Sequence, residues 1–416
     1  MNRESLVLVL ALVLALLTAF SAFFLVTLQS KEPTGSLLLE SVSEGLAFPV
    51  SLAMAPDGRF FYNELRDGGV RIIEDGLLLE EPFVSLEVVQ QAETGLLGLA
   101  LHPEFSVSPY VYLYYTYQAG DGIYNRISRF RDLGNAAGTE EIVLDRVPAN
   151  SRHNGGRLAF GPDGKLYASV GDTLESEEAR NPHSLAGKIL RMNPDGSIPE
   201  DNPFEASYTY LLGVRNVFGM DFTPGGTLLF TENGPFGNDE VNRGRPGADY
   251  GWPDVQGFAM DSSYEDPLLV FPASVAPTGL AFYTGGALGE EYANEAFFAS
   301  WNDGALRRII GDVEGGSGAF EAEIVVETEP GGMLDVMNGP DGYLYVSLRD
   351  RIARVIINPM ASEGQSTPGT PAFLVSDQNS VLTKFSEVQL LYRAVISLVA
   401  TSEPEGRLLA SPLHKS

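Results

Sequence analysis

His153 is the residue whose type and setting in this chain most readily support chemistry. It opens the stretch HNGGRLAFGPDGKLYASVGD, His153 to Asp172. An imidazole titrates near neutrality and so suits proton abstraction. Behind it, Gly155 and Gly156 leave room for a ligand or another backbone to come close. A hydrogen-bonded turn histidine is the alternative. His102 and His183 flank prolines and read as structural, and His414 lies in the C-terminal tail. Arg215-Asn216, in GVRNVFG, sets a planar cationic fork beside an amide, which suits carboxylates; a plain salt bridge is the alternative. Asp239-Glu240 lies in one loop region with Tyr250 and Gly251-Trp252-Pro253. Oxygen donors without soft ligands suit calcium, which takes about 6–8 oxygens; an ordinary acidic loop is the other reading.

The elements that must position these residues repeat. In the His153 stretch an apolar run reaches Pro162-Asp163-Gly164, and a second run, Leu166 to Val170, leaves it. Proline presets φ, aspartate caps and glycine takes φ > 0, so the stretch reads as a β-hairpin. The same unit returns as Gly45 to Glu64, Gly95 to Tyr117, Val217 to Gly234, Thr278 to Trp301 and Met333 to Asp350. Starts spaced by roughly 40–65 residues, filled with short strands and turns, predict a β-propeller. Further alternating strands follow most copies: Gly69 to Ile73, Ile127 to Phe130, Lys188 to Met192, Leu306 to Ile310 and Ile352 to Ile357. The expectation is therefore an all-β, six-bladed propeller over 31–357, with Leu37 to Val42 adding a strand to the last blade and closing the ring. Such closure removes exposed sheet edges. In this register His153, Glu93, Arg215, Asn216, Gly234 and Pro235 take comparable places, converging on one mouth of the central channel.

The flanks differ in kind. Leu6 to Leu28 is apolar apart from Thr18, Ser21 and Thr27, with Arg3 before it and Lys31 after it. A run of that length reads as a membrane signal-anchor helix over 1–30, with a cleaved signal peptide as the alternative; either places the body outside the cytoplasm. The segment 358–416 begins as a linker and carries an apolar-mixed stretch, Val381 to Val399, without an assignment. The 416 residues hold 27 basic and 55 acidic side chains, a net charge of −28. Such a polyanion repels nucleic acid and anionic membrane surfaces, so membrane contact is expected through the N-terminal segment only. The absence of cysteine excludes disulfides, thiolate catalysis and iron–sulfur clusters.

Taken together, GLLGLALHPEF (Gly95 to Phe105), the His153 stretch, LAGKILRMNPDGSIPEDNPF (Leu185 to Phe204), GVRNVFGMDF (Gly213 to Phe222), TENGPFGNDEVN (Thr231 to Asn242) and YGWP (Tyr250 to Pro253) resemble the soluble PQQ-dependent aldose sugar dehydrogenases, the glucose/sorbosone dehydrogenase family. The resemblance runs from about Leu46 to Ile357. It implies a six-bladed propeller that oxidises the anomeric hydroxyl of an aldose. His153 would be the base, Glu93, Arg215 and Asn216 would contact PQQ, and the Gly234 and Pro235 carbonyls would hold a calcium ion (Ca2+). Glu240 and Tyr250 match a second calcium site found in part of the family. With no cysteine there is no c-type haem, so electrons would leave to a separate acceptor. One departure stands out. Many members carry Arg-x-Arg-Asp in the last blade, where the arginines meet the cofactor's carboxylates; here the segment is Gly332-Met333-Leu334-Asp335. Arg307 and Arg308 are the candidates to supply that charge. The missing pair also keeps open a cofactor-free propeller that binds a glycan or a protein. Analogy between six-bladed folds keeps open a calcium-dependent lactonase.

Overall fold

Each copied unit forms the two inner strands of an antiparallel sheet, four-stranded in five blades and five-stranded in the first. The computed structural model describes residues 36–259, 261–315 and 319–359. Within them the strands sort into six sheets, each running antiparallel from an inner to an outer strand. The inner strands are Pro49–Met54, Leu96–Leu101, Leu158–Phe160, Val217–Phe222, Pro277–Tyr283 and Met333–Asn338. Neighbours in this series pack on one another, and the last packs on the first, so the inner strands form a closed ring. No described helix is long and apolar enough to cross a membrane. The 1–30 segment and the tail after Pro359, with its Val381 to Val399 stretch, lie outside the described residues.

The Pro-Asp-Gly turns adopt the conformations their residues favour. Gly58, Gly164 and Gly342 have φ of 91°, 71° and 84°. In the third blade the Gly164 N–H donates to the Gly161 carbonyl at 2.9 Å, and Asp163 Oδ1 accepts the Lys165 N–H at 3.0 Å. The strands they join bury alternating apolar faces between blades. Tyr112, Tyr114, Leu166 and Leu190, for example, share one cluster between the second and third sheets.

Ring closure follows the expected route and extends slightly further. Leu37–Glu44 is the outermost strand of the sixth blade, antiparallel to Arg351–Ile357. Residues from the two ends of the described chain thus complete one sheet.

Candidate functional site at the propeller mouth

Two sets of segments meet at one end of the channel: the entries to the inner strands and the turns that leave the second strands. Phe48, Leu97, Asn216, Pro277 and Leu334 come from the first set. Leu65, Arg66, Asn233 and Trp301 come from the second. All of them, with Glu93, line one cavity of about 270 Å³. Its walls are mostly apolar, with a few polar side chains, Arg66, Glu93, Asn216, Asn233 and Thr278, a composition usual for a small-molecule site.

His153 sits beside this cavity, bonded to its wall residue Glu93, with a left-handed backbone, φ 56°. A non-glycine residue there carries strain, which the surroundings must hold in place. They do so by hydrogen bonds at every polar atom of the residue. Its N–H donates to Glu93 Oε2 at 2.8 Å, and its carbonyl accepts from the Thr173 N–H at 3.1 Å. The ring Nδ1 lies 2.7 Å from Asp172 Oδ1, and Nε2 lies 2.8 Å from Arg215 Nη2. A guanidinium can only donate, so Nε2 must be the acceptor. The imidazole is therefore neutral, and its proton sits on Nδ1, directed at Asp172.

The two glycines behind His153 answer to packing rather than to a ligand. A Cβ on Gly155 would lie 2.7 Å from the Ser169 carbonyl, and one on Gly156 would lie 2.5 Å from Leu97 Cβ. Neighbouring strands therefore approach this segment as closely as bare backbone permits.

Asp172 was not singled out from the sequence, although it closes the stretch that His153 opens. The Leu158–Phe160 and Leu166–Val170 hairpin folds the chain back and returns it to the histidine. Asp172 Oδ1 also accepts the Leu174 N–H, at 3.0 Å, and Oδ2 accepts Trp252 Nε1–H at 2.9 Å. Burial pushes this carboxyl upward, but the hydrogen bonds from His153, Leu174 and Trp252 outweigh it and hold the group below 3.8. The Trp252 loop was named from the sequence, but its contact with Asp172 was equally hidden, since only the fold brings that loop to the third blade.

Arg215 links His153 to the loop of the fourth blade. Its Nη1 donates to the Asn233 carbonyl at 2.7 Å and to that of Gly234 at 3.2 Å, and the guanidinium lies 5.5 Å from the Trp252 ring centroid. Burial lowers its pKa. Asn216 Oδ1 accepts the Gly155 N–H at 3.1 Å. The Asn216 amide nitrogen has no hydrogen-bond partner among the described residues, and the side chain lines the cavity.

A second, much smaller cavity of about 10 Å³ is lined by Arg215, Glu232, Gly234, Pro235, Glu240 and Tyr250, among others. That volume suits one water or one ion. Glu232 and Glu240 face each other across adjacent strands, and both are buried. Burial, reinforced by the charge of Glu240, drives Glu232 well above its usual 4.5; burial likewise raises Glu240. Two facing buried carboxylates beside an ion-sized space, with the Asn238 and Gln256 side chains and main-chain carbonyls nearby, offer the oxygen donors a hard cation takes. Two residues take less part in this than their types suggest. Asp239 spends its oxygens on main-chain N–H groups of Gly234, Val275 and Ala276. The Tyr250 hydroxyl donates to the Arg243 carbonyl and accepts from Arg245 N–H, which leaves its main-chain carbonyl as the donor for an ion.

The expectation that Arg307 and Arg308 supply charge to the mouth is corrected by the fold. Arg307 pairs with Asp303, and Arg308 pairs with Glu295 and Glu323. Neither lines the mouth cavity, because both lie on a third strand, away from the ring of inner strands. In the last blade Leu334 is an apolar wall of the cavity, and Asp335 is buried in an ion pair with Arg157.

A family model for glucose/sorbosone dehydrogenase matches residues 46–357. The chain belongs to that family. It is 30 % identical over 337 residues to the aldose sugar dehydrogenase YliI of Escherichia coli, covering 74 % of this chain and 89 % of the relative. It is 33 % identical over 255 residues to quinoprotein glucose dehydrogenase B of Acinetobacter calcoaceticus, where the match spans 52 % of each. Among solved structures, the PQQ-bound form of an aldose sugar dehydrogenase from Streptomyces coelicolor superposes with a TM-score of 0.70 at 29 % identity. That match covers 79 % of this chain and 100 % of the other.

Proposed function

We propose that this protein is a quinoprotein that oxidises the anomeric hydroxyl of an aldose to the lactone, with PQQ in the mouth cavity and calcium beside it. The observation that carries this reading is the chain Asp172–His153–Arg215 beside an apolar cavity, joined to its wall through Glu93. It holds a neutral imidazole in one tautomer with Nε2 as the acceptor. Likeness to the sugar dehydrogenases named above supports the same reading.

Asp172 fixes the proton on Nδ1, so His153 presents its lone pair at Nε2 and takes the proton of the sugar's anomeric hydroxyl there. Arg215 holds that lone pair in the resting site and yields it to the hydroxyl. Glu93 anchors the strained backbone of His153, and Glu93, Arg215 and Asn216 are the side chains offered to the cofactor. The Gly234 and Pro235 carbonyls would hold one cation, and Glu240 with the Tyr250 carbonyl would hold a second. When bound, PQQ would supply a quinone that accepts the hydride with its two electrons, and calcium would supply Lewis acidity to that quinone. The apolar walls exclude water from that exchange. Lacking cysteine, the chain has no covalent haem of its own to pass electrons onward, so a separate acceptor takes them. The apolar run from Leu6 to Leu28 is the basis for placing the protein outside the cytoplasm, attached through that segment.

The test is reconstitution of the purified protein with calcium and PQQ, followed by aldose-dependent reduction of an artificial dye. Activity should require both additions. His153→Ala should lower kcat by on the order of 10²–10⁴-fold. A folded protein that takes up no PQQ would refute the proposal.

A further inference from the structure

A polycarboxylate cofactor in a chain of net charge −28 needs local cations. The last-blade arginine pair is absent, and Leu334 lines the cavity where one of the two was expected. Most described arginines are committed to carboxylates. Those with no carboxylate within 4.0 Å, among the described residues, are Arg66, Arg131, Arg152, Arg215, Arg243 and Arg349. Two of these, Arg66 and Arg349, bear directly on the mouth cavity. Arg215 holds Nε2 of His153, and Arg152 precedes His153. Arg66 lines the cavity directly. Arg349 lies with its guanidinium 5.4 Å from the ring centroid of Trp301, itself a cavity wall.

The two blades place Arg66 and Arg349 alike. Each follows the second strand of its sheet, Phe60–Glu64 in the first blade and Leu344–Leu348 in the sixth. These blades are neighbours in the ring, so the two arginines flank the same sector, with Phe48 between them. The Phe48 N–H donates to the Arg349 carbonyl at 3.1 Å, and the Leu65 N–H donates to the Phe48 carbonyl. Arg66 is held through main-chain carbonyls: Nη1 donates to that of Thr94 at 3.1 Å, and Nη2 to that of Ala92. Its charge is therefore fixed in place without being neutralised. The nearest carboxylates have other partners or only adjoin in sequence. Glu93 receives the His153 N–H, Asp350 pairs with Arg351, and Asp67 follows Arg66 in the chain.

We propose that Arg66 and Arg349 form the carboxylate-binding rim of the mouth cavity, taking over the charge that the missing last-blade pair would supply. The proposal rests on the PQQ reading above and assigns the part of that site which the family pattern leaves empty. Relocating the cations from an inner strand to the turns of two neighbouring blades keeps Leu334 as an apolar wall. It also makes binding depend on guanidiniums that are partly open to solvent, so affinity should fall with salt.

The full chain, without cofactor but with calcium, would be titrated with PQQ by calorimetry and by tryptophan fluorescence, since Trp301 lies against both the cavity and Arg349. Variants Arg66→Gln, Arg349→Gln and the pair would be compared with Arg243→Gln, which removes the same charge elsewhere. Each single change should weaken binding by roughly ten- to hundredfold, as expected for a charge-assisted hydrogen bond. The double variant should lose most of the salt dependence, and Arg66→Lys should recover part of the affinity. Benzene-1,3,5-tricarboxylate should compete with PQQ on the wild type but not on the double variant. Unchanged PQQ affinity in both single variants, or equal weakening by Arg243→Gln, would overturn the proposal and leave the dehydrogenase reading standing. Absence of PQQ binding by the wild type would remove both.

Discussion

At the scale of single residues, the site depends on which nitrogen of His153 carries the proton. Asp172 decides this, and it is the residue the sequence hid best. Its type is common, it lies far along the chain from the histidine, and only the hairpin turn at Pro162-Asp163-Gly164 returns it. Asn in its place can present an amide N–H to Nδ1 and so favour the wrong tautomer. Asp172→Asn should therefore leave PQQ uptake near wild type while kcat falls on the order of 10²-fold or more. The comparison of cofactor titration with steady-state rates checks this; parallel losses in both would mean that Asp172 only shapes the loop. His153, Arg215 and Asn216 could be picked out as candidates because they stand in long motifs. Arg66 and Arg349 could not, because nothing local marks an arginine after a strand as unpaired. That property emerges only when every carboxylate has been placed.

At the scale of strands and turns, carboxylates do two opposite things. Glu240 lines the ion-sized cavity and is the proposed calcium ligand there. Glu240→Gln should weaken calcium binding by roughly tenfold or more, read by calorimetry on the chelator-treated protein, with a smaller gain in thermal stability on adding calcium. Asp221, by contrast, is a staple. It lies on the fourth inner strand and accepts the Phe282 N–H of the fifth at 2.8 Å, as well as the Phe222 N–H. Burial raises its pKa from 3.8 to about 6; those hydrogen bonds and the charge of Arg157 pull it down, and Asp335 pushes it up. The folded protein thus keeps this proton over a range in which the unfolded chain gives it up. Its contribution to stability is full below 3.8 and is lost as pH rises to about 6. Asn at this position still accepts a hydrogen bond and does not titrate. Relative to wild type, Asp221→Asn should gain roughly 1–3 kcal/mol between pH 4 and pH 7 in urea unfolding. A pH-independent difference would remove Asp221 as the cause. Strand positions were readable from alternation and turn residues, whereas side-chain staples between blades were not, since both partners look like ordinary strand residues.

At the scale of the whole molecule, the mouth exists only while the ring is closed. The cavity takes Phe48, Leu65 and Arg66 from the first blade and Trp301 and Leu334 from the fifth and sixth. These blades meet at the seam, where Leu37–Glu44 completes the sixth sheet. The repeat count and this closing strand were both legible, because a propeller of antiparallel sheets needs its last edge covered. Leu37 is almost wholly buried in the cluster shared by the fifth and sixth blades, and the strand's main chain pairs along its length with Arg351–Ile357. Removing residues 36–44 should therefore expose an unpaired edge and loosen the seam before the other blades are affected. The expected result is a lower melting temperature and concentration-dependent association on size exclusion. PQQ affinity should fall even though no cavity residue has been deleted. Glu40→Arg combined with Arg354→Glu inverts the one ion pair between these strands, Glu40 with Arg354, and should close the ring as wild type does. A truncated chain that keeps full stability and cofactor affinity would mean that packing between inner strands alone holds the ring. The closing strand would then serve only to protect the edge.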